Sequence, residues 1–399
     1  MKDGVKEHKM ELKFADRMKD YGEGIFQLLN EKKNERLKEG KTVYNFSVGT
    51  PDFKPADYVV EAVSKAAAIP ENFKYSLTDL PELTKAVIDR FKTRYGVVLY
   101  ENEIMSVYGS QEGITHIGLS LCNEGDVVLV PNPGYPIFGI GPSLAKAEIV
   151  NYDLTPENGY LPDLDGIDKE LLKKTKFIIV SYPMNPICKC APKSFYQKLI
   201  PWAKKHGIIV IHDNAYSDIV YDGKHGISIL SIDGAKEVAV EFYSLSKSYN
   251  YTGARMGFLV GNEAIVQNFK KLRSQIDYGT FLPVQYGAIA ALNGPDEGVV
   301  LQCNEYQKRR DALCGGFREI GWPVPDSEGT MFAWGKIPSS FGTDDVKFVE
   351  TLVDKTGVLC TPGSSFGTLG IGYVRFALVL PIETINQAVK SVEESGILK

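Results

Sequence analysis

The sequence predicts an α/β protein with a mostly parallel central sheet, helices on both faces of that sheet, and a smaller α+β unit after it. Short apolar runs alternate with segments of helical periodicity from about residue 57 to residue 292. This alternation is typical of a parallel sheet sandwiched by helices. An Asn-Gly-Pro-Asp break at residues 293–296 ends the pattern. The sequence therefore predicts that a second unit begins near residue 293.

The predicted strands follow one another in a regular order. The apolar runs of the large sheet are residues 127–130, 148–150, 177–180, 208–211, 238–240 and 257–260. Strands that are buried on both faces read as continuous apolar runs, as these do. After the break, a long helical pattern leads to strand-like segments at residues 329–334 and 372–380. These later segments predict the smaller α+β unit.

Composition and charge exclude several classes of protein. The chain has 399 residues, of which 44% are hydrophobic, and this length is enough for two packed units. A net charge of −5 disfavours nonspecific binding to nucleic-acid phosphates. No apolar run reaches the ~18 residues of a membrane span, and the charged start lacks the apolar core of a signal peptide. We expect a cytoplasmic protein without nucleic-acid or membrane partners.

Cysteine and histidine spacing does not indicate a metal site. The six cysteines include no C-x-x-C pair, so reduced thiols are expected. Cys188 and Cys190 are one residue apart and have no second pair to complete a ligand set. His212 precedes Asp213 on a predicted strand, so its side chain points to the opposite face. This favours a packed or supporting role for His212 over a catalytic one.

The stretch at residues 244–257 carries the strongest chemical signal. It places Lys247 among the hydroxyls of Ser244 and Ser246, with Arg255 eight positions later, just before an apolar run. A lysine amine can form a Schiff base with an aldehyde, while serines and an arginine can hold a phosphate. Taken alone, a lysine between serines also fits a solvated loop.

Two further segments support the same kind of ligand. The apolar run at 208–212 ends on Asp213, with Tyr216 three residues later, and ligands gather at such strand ends in α/β sheets. Asp213 in isolation also fits a helix N-cap. A strand-like run from residue 103 leads into a glycine-serine turn at residues 109–111 and then a helical pattern. Free N–H groups at such a helix start bind phosphate.

Together these segments resemble the pyridoxal-phosphate-dependent aminotransferases of classes I and II, and they follow the family's order along the chain. Residues 182–186 resemble the family's Asn-Pro-Thr-Gly motif, although Ile187 and Cys188 replace the threonine and glycine. The resemblance extends from residue 44 to residue 375 and is nearest to alanine-type and LL-diaminopimelate-type enzymes. It implies the fold type I architecture and the cofactor pyridoxal 5′-phosphate.

The resemblance also implies individual roles. Lys247 would bind the cofactor and transfer protons, Asp213 would pair with the pyridine nitrogen, and Tyr135 would stack on the ring. The implied catalytic residues are Lys247, Asp213 and Tyr216; the implied cofactor ligands are Gly109, Ser110, Gln111, Tyr135, Asn185, Asp213, Tyr216, Ser244, Ser246, Lys247, Arg255 and Tyr75; and the implied substrate ligands are Gly49, Asn185 and Arg375.

Arg375 stands in a strand otherwise made of apolar and aromatic residues, and a charge there needs a partner. The family uses the matching arginine as a bidentate clamp on the substrate α-carboxylate, a geometry that suits a planar guanidinium. The alternative is a structural salt bridge to a buried acid.

The resemblance further implies a homodimer with shared active sites. Tyr75 matches a tyrosine that reaches the phosphate of the partner subunit, although Asp79 stands where a glycine is common. Residues 278–283 match the other loop that crosses the interface. This loop carries no arginine or lysine, which favours a small neutral amino donor over aspartate. A plain connection between helices is the alternative for this segment.

The implied domains are residues 1–50, an N-terminal arm and the first part of the small domain; 51–292, the large cofactor-binding domain; and 293–399, the rest of the small domain. The predicted activity is ping-pong transfer of an amino group between an L-amino acid, such as alanine, and a 2-oxo acid. An LL-diaminopimelate aminotransferase or a C–S lyase are alternatives. A transcription regulator is disfavoured because the ~40 residues before residue 44 show no helix-turn-helix pattern.

Overall fold

The computed structural model describes residues 12–20 and 24–399. The strands within these residues are β1 (Tyr44–Asn45), β2 (Ile104–Val107), β3 (Val127–Asn132), β4 (Glu148–Asp153), β5 (Thr175–Ser181), β6 (Ile209–Asp213), β7 (Ala239–Ser244), β8 (Gly257–Gly261), β9 (Phe332–Lys336), β10 (Val358–Leu359), β11 (Thr361–Pro362) and β12 (Tyr373–Ala377). The α-helices are α1 (Gly24–Lys38), α2 (Asp57–Ala67), α3 (Pro81–Tyr95), α4 (Ser110–Leu121), α5 (Ile137–Leu144), α6 (Lys169–Lys174), α7 (Lys193–His206), α8 (Leu245–Ser248), α9 (Glu263–Arg273), α10 (Leu282–Asn293), α11 (Glu297–Glu319), α12 (Asp345–Thr356) and α13 (Ile382–Ser395).

The large sheet has seven strands in the order β2-β8-β7-β6-β5-β3-β4. The strands from β7 to β4 pair in parallel, and β8 runs antiparallel to both of its neighbours. Each apolar run assigned to this sheet forms a strand, so the predicted mostly parallel α/β architecture is confirmed. The reversal at β8 was not predicted, because an apolar run does not encode strand direction.

Alternating side chains of the sheet build two cores. Phe177 and Ile179 on β5 pack with residues of α4, α5 and α9 on one face. Ile178 and Val180 point the other way, into the core that contains α3 and α7. All four side chains are fully buried. The period of two along each strand therefore explains why the runs are apolar throughout.

The C-terminal part forms a three-stranded antiparallel sheet, β11-β12-β9, beside α11, α12 and α13. Strand β1 returns to this part of the molecule, because Tyr44 pairs with Val358 of β10. The return of residues near 43–48 thus agrees with the resemblance. The division at residues 50 and 292 stays a prediction, and the expected N-terminal arm falls largely outside the described residues.

The topology brings several predicted site residues to one edge of the large sheet. Asp213 ends β6, Ser244 ends the parallel strand β7, and Ser110 begins α4. No helix of the described residues is long and apolar enough to cross a membrane. The cytoplasmic location stays a prediction.

Candidate active site

A cavity of about 500 Å³ opens at the carboxyl ends of β5, β6 and β7. Most residues that the sequence singled out line this cavity: Gly49, Ser110, Gln111, Tyr135, Asn185, Asp213, Tyr216, Ser244, Ser246, Lys247, Arg255 and Arg375. They come from segments up to 326 positions apart in the chain (375 − 49). The fold therefore gathers the predicted catalytic, cofactor and substrate residues around one space.

Two predicted ligands lie outside the cavity lining. Gly109 is the N-cap of α4 with a φ of 79°, and a side chain there would collide with the guanidinium of Arg255. The positive φ at this position favours glycine, and a side chain there would also require the Arg255 guanidinium to shift. Tyr75 is 76% exposed, and its ring lies 5.0 Å from the ring of Tyr278. Within its own chain, Tyr75 does not reach the cavity.

One end of the cavity is suited to an anion. The N-terminus of the twelve-residue helix α4 lies there, with the side chains of Ser110 and Gln111 in the lining. Ser244 and Ser246 contribute from the turn around α8, where the Ser244 hydroxyl also accepts from the backbone N–H of Ser246 at 3.2 Å. Arg255 adds a positive charge to the helix dipole. This combination favours a phosphate group.

Arg255 is fixed by backbone carbonyls. Its Nη1 donates to the Thr252 carbonyl at 3.0 Å and its Nη2 to the Tyr108 carbonyl at 3.3 Å. Neither partner is an acid, so the positive charge stays available to a ligand. Thr252 itself lines the cavity.

Lys247 projects into the cavity from α8. Its Nζ donates to the carbonyl oxygen of Gly49 at 2.8 Å. Burial, together with the positive charges of Arg375 and Arg255, lowers the pKa of Lys247 to about 8. A larger fraction of the amine is therefore neutral near physiological pH than for an ordinary lysine, which suits a nucleophile and base.

Asp213 lies at the end of β6 and is 7% exposed. Burial raises its pKa to about 7, while His212 and a hydrogen bond from the Ala215 backbone act in the opposite direction. Its Oδ1 has no hydrogen-bond partner among the described residues. A buried, unpartnered carboxylate oxygen beside a cavity fits a ligand that supplies a protonated nitrogen.

Arg375 and Asn185 form a second polar group in the cavity lining. Arg375 Nη1 donates to Asn185 Oδ1 at 2.9 Å, and Nη2 donates to the Ser47 carbonyl at 3.2 Å. Burial lowers the pKa of Arg375 to about 10. No acid forms an ion pair with this guanidinium in residues 12–20 and 24–399, and its Nε lacks a partner there. These contacts do not support the alternative of a structural salt bridge.

Aromatic side chains enclose Arg375. Its guanidinium carbon lies 4.1 Å from the ring centroid of Phe332 and 4.6 Å from that of Phe366. Phe332 also meets the ring of Tyr216, at 5.9 Å between centroids. The cation is thus held by aromatic faces while its donors remain directed at polar atoms.

The loop after Asn185 keeps its turn despite the unusual sequence. Cys188 has a φ of 64°, the left-handed conformation that a glycine adopts easily. Its thiol donates to the Pro186 carbonyl at 3.1 Å and accepts from the Thr330 hydroxyl at 3.4 Å. The cysteine therefore replaces the family's glycine without displacing Asn185 from Arg375.

Tyr135 is anchored to the helix start. Its hydroxyl donates to Gln111 Oε1 at 3.0 Å, and burial raises the pKa of Tyr135. This contact holds the ring in the cavity lining, and its stacking on the cofactor stays a prediction.

Some cavity residues were not identified from the sequence. Phe332, Phe366, Ser365 and Thr252 line the cavity, but none carries a motif by itself. Phe332 belongs to the predicted strand at 329–334, and an alternating pattern alone does not separate a cavity face from a packed face. These residues become recognisable only when the small C-terminal sheet is placed against the large one.

Two loops that carry exposed aromatic side chains lie outside the cavity lining, and we call residues 73–79 and 278–281 the rim loops. They are tied together inside the chain. Gln285 Nε2 donates to Ser76 Oγ at 2.7 Å and to the Thr280 carbonyl at 2.8 Å. Asp79, where the family commonly has glycine, accepts from the Ser106 backbone at 2.8 Å. The substitution therefore attaches the first rim loop to β2.

The lining fits pyridoxal 5′-phosphate by its chemistry. The anion-binding end suits the phosphate, Asp213 offers an unpartnered buried oxygen for the pyridine nitrogen, and Lys247 has a lowered pKa. The cavity volume also lies within the range for a small cofactor and its substrate.

Comparison with known proteins gives one consistent result. The profile of the family described as aminotransferase class I and II matches residues 41–392. LL-diaminopimelate aminotransferase of Aquifex aeolicus is 40% identical over 382 residues, covering 95% of this chain and 98% of the relative. Glutamate-pyruvate aminotransferase AlaC of Escherichia coli is 37% identical over 381 residues, covering 95% and 92%. The substrate-bound structure of BacF from Bacillus subtilis superposes with a TM-score of 0.92 at 34% identity, covering 96% and 98%.

Proposed function

This chain belongs to the class I and II aminotransferases and is a pyridoxal-phosphate-dependent transaminase, and from that premise we propose its donor and the role of each residue. The proposed reaction moves the amino group of a small neutral L-amino acid, such as alanine, to a 2-oxo acid. The observation that carries the proposal is that the cavity lining contains two guanidinium groups, Arg255 and Arg375, whose hydrogen-bond partners are all neutral.

The proposed roles follow from position and charge. Bound pyridoxal phosphate supplies an aldehyde for the amino group and a ring that accepts electrons from the substrate Cα–H bond. Ser110, Ser244, Ser246 and Arg255 would hold the phosphate, and Asp213 would accept from the pyridine nitrogen. Asn185 and Tyr216 would hydrogen-bond the ring oxygen, and Tyr135 would pack against the ring.

Lys247 acts as the base in this proposal. Its amine would take the proton from the substrate Cα and deliver it to the carbon that had been the cofactor aldehyde, and the Gly49 carbonyl holds the amine when it is not engaged. Arg375 binds the α-carboxylate. Both half-reactions use one set of residues, so ping-pong kinetics are expected.

The charged side chains of the cavity lining support a neutral donor. They are Asp213, Lys247, Arg255 and Arg375. The first three serve the cofactor in the proposed arrangement, which leaves Arg375 for a single carboxylate. Val48, Phe332 and Phe366 supply apolar surface nearby. A small apolar side chain suits this surface better than a second carboxylate does.

LL-diaminopimelate is the second candidate donor. The relatives of that name are 37–40% identical over nearly the whole chain, close to the value for AlaC. The distal ammonium and carboxylate of that substrate would need partners outside the cavity lining of one chain. The rim loops of a second subunit are the proposed source.

A half-reaction assay tests the donor. Purified holoenzyme is mixed with single L-amino acids without an oxo acid, and the visible absorbance of the cofactor is followed by stopped flow. We expect alanine to convert the cofactor to its aminated form faster than LL-diaminopimelate, glutamate or aspartate at equal concentration. Faster conversion by LL-diaminopimelate would replace alanine as the donor.

A control separates transamination from elimination. β-Chloroalanine or cystathionine is supplied without an oxo acid, and pyruvate and ammonia are measured over many turnovers. Sustained release at a rate above that of transamination would make the protein a C–S lyase.

We also propose that the protein is a homodimer with shared sites. Its support is the exposure of Phe73, Tyr75, Leu77 and Tyr278 on the rim loops, at 58–76% each. A patch of aromatic and aliphatic side chains of this kind marks an interaction surface. We propose in addition that residues 51–292 form the large domain, and that residues 1–50 and 293–399 form the N-terminal arm and the small domain.

A further inference from the structure

A fully buried acid lies behind Asp213, on the face of the sheet opposite to the cavity. Glu241 is in the middle of β7 and is 0% exposed. Its Oε2 accepts from the Ser228 hydroxyl at 2.8 Å and from the backbone N–H of Ile229 at 2.9 Å. An ionised carboxylate is costly to bury, so these donors are needed to keep it. The proposed mechanism does not use this residue.

Glu241 contacts both neighbours of Asp213 in the sequence. His212 pairs with Glu241 across β6 and β7, and its Nδ1 lies 3.2 Å from Glu241 Oε2. Asn214 Nδ2 donates to Glu241 Oε1 at 3.0 Å. Both neighbours are 0% exposed. One carboxylate thus holds the chain immediately before and immediately after Asp213.

The contacts of His212 fix its protonation. Its Nε2 lies 3.2 Å from the carbonyl oxygen of Tyr182, which can only accept, so this nitrogen carries a proton. The hydroxyl of Tyr196, at 3.4 Å from the same nitrogen, can accept as well. The other nitrogen faces Glu241, and every other contact of that carboxylate comes from a donor. A carboxylate in this setting accepts, so the contacts of both ring nitrogens fit donors, as in an imidazolium.

This places a buried positive charge directly beside the predicted cofactor-binding acid. The positive charge of His212 lowers the pKa of Asp213, opposing the burial that raises it. Glu241 by itself raises that pKa, so its benefit to Asp213 acts through His212 and through position. The groups that face this cluster are Tyr182, Tyr196, Asn214 and Ser228.

We propose that Glu241 is a positioning residue for Asp213: it holds His212 as an imidazolium and fixes Asn214, so that Asp213 remains ionised and directed into the cavity. This inference rests on the proposed role of Asp213 toward the pyridine nitrogen. In the absence of Glu241, His212 loses the carboxylate that its Nδ1 faces and Asn214 loses a hydrogen-bond acceptor, so the surroundings of Asp213 favour its ionised form less. Asp213 then binds the proton that it otherwise leaves on the cofactor.

The test uses holoenzyme carrying the conservative variant Glu241→Gln and a cofactor labelled with ¹⁵N in its ring. The nitrogen chemical shift distinguishes a protonated from an unprotonated pyridine. We expect the signal to move toward the unprotonated value and kcat to fall about tenfold, which corresponds to one pKa unit. The KM for the amino acid is expected to change less than twofold, because Arg375 is untouched.

The matched control is Glu103→Gln. Glu103 is also a buried acid, 8% exposed and paired with Lys236 at 2.6 Å, but it does not line the cavity. A purely structural role for Glu241 predicts that both variants lower the melting temperature and leave the nitrogen signal unchanged. That result would overturn the proposal.

A second variant covers the case in which Glu241→Gln does not fold. His212→Gln removes the cation while keeping a polar side chain, and the same nitrogen shift and loss of kcat are expected. An unchanged signal in His212→Gln contradicts the inference. Asp213→Asn tests the role of Asp213 separately from that of Glu241. If Asp213→Asn keeps the wild-type nitrogen signal and turnover, the proposed role of Asp213 is wrong. If Asp213→Asn changes both but Glu241→Gln and His212→Gln change neither, only the positioning role of Glu241 is wrong.

Discussion

The cavity lining around Lys247, Asn185 and Arg375, which we call the inner wall, differs from the rim loops in how its side chains are partnered. On the inner wall, Arg375 and Lys247 are held by Asn185 and by the Gly49 carbonyl of the same chain. On the rim, Tyr75 and Tyr278 contact each other but are otherwise exposed to solvent. The side chains of the inner wall are therefore partnered within one chain, whereas the exposed side chains of the rim are the ones that the proposed homodimer would cover.

The largest expected effect comes from the inner wall. Lys247→Met removes the proposed base and cofactor attachment, so we expect turnover to fall at least ~10⁴-fold. Borohydride treatment of wild-type holoenzyme followed by mass spectrometry should place the cofactor on Lys247. Recovery of the adduct on a different lysine would contradict the assignment.

The same variant should stabilise the protein without cofactor. The folded-state pKa of Lys247 is lowered to about 8, so burying the protonated amine disfavours folding fully below pH 8. That penalty disappears as the pH rises from 8 to the ordinary lysine value. We expect Lys247→Met to raise the free energy of unfolding by about 1–2 kcal/mol at pH 7, allowing for residual exposure of the amine. Urea unfolding at pH 7 and pH 10.5 measures the difference, which should be near zero at the higher pH.

The second effect concerns the division between wall and rim. Lys247→Ala and Tyr75→Ala are each expected to impair the enzyme severely. Unfolding and refolding them together in equal amounts should restore about a quarter of wild-type activity, because each mixed dimer contains one site with neither lesion. A mixture with verified mixed dimers and only the average activity of the two variants would place Tyr75 in its own chain's site.

The third effect should be confined to substrate binding. Arg375→Ala removes a buried cation that has no acidic partner in the described chain, and we expect amino and oxo acids to bind ~10²-fold more weakly. Cofactor affinity, followed by fluorescence titration, should change less than threefold. A loss of cofactor with retained substrate affinity would exclude the carboxylate clamp.

The smallest expected effect comes from the hydrogen bonds that hold the two rim loops together within one chain. Gln285→Leu breaks the hydrogen bonds that join the two rim loops, and the exposed Tyr286→Leu serves as a control on the same helix. We expect Gln285→Leu to weaken cofactor binding by roughly 5- to 10-fold, the effect of one or two buried hydrogen bonds. In mixed dimers with Lys247→Ala, the loss should appear at the site of the partner subunit. Weaker cofactor binding at the active site of the Gln285→Leu chain itself would mean that Gln285 supports the inner wall and not the rim.

Sequence alone predicted the wall better than the rim, for a physical reason. Lys247, Asp213 and Arg375 are charged groups next to apolar strands, so their placement demands an explanation before any fold is known. Tyr75 and residues 278–281 have no such contrast with their surroundings, and their role came from the resemblance. Phe332 and Phe366 were missed because aromatic residues in strands usually indicate packing.

The support behind the wall was also invisible in the sequence. His212 was expected to point away from the cavity, and its contact with Tyr196 of α7 agrees with that. Its link to Glu241 depends on the register between β6 and β7, which apolar runs do not specify. At Cys188 the sequence suggested a disturbance that the structure does not show. The cysteine stands where the family has glycine, yet its backbone adopts the left-handed conformation typical of glycine.

The unpartnered atoms Asp213 Oδ1 and Arg375 Nε bear on the lifetime of the chain in a cell. A ligand that satisfies such atoms binds only the folded state and shifts the folding equilibrium by mass action. Chains made when pyridoxal phosphate is scarce therefore spend more time open to proteases than chains that load at once. We therefore expect the supply of cofactor to affect how much of this enzyme accumulates, as well as how much of it is active.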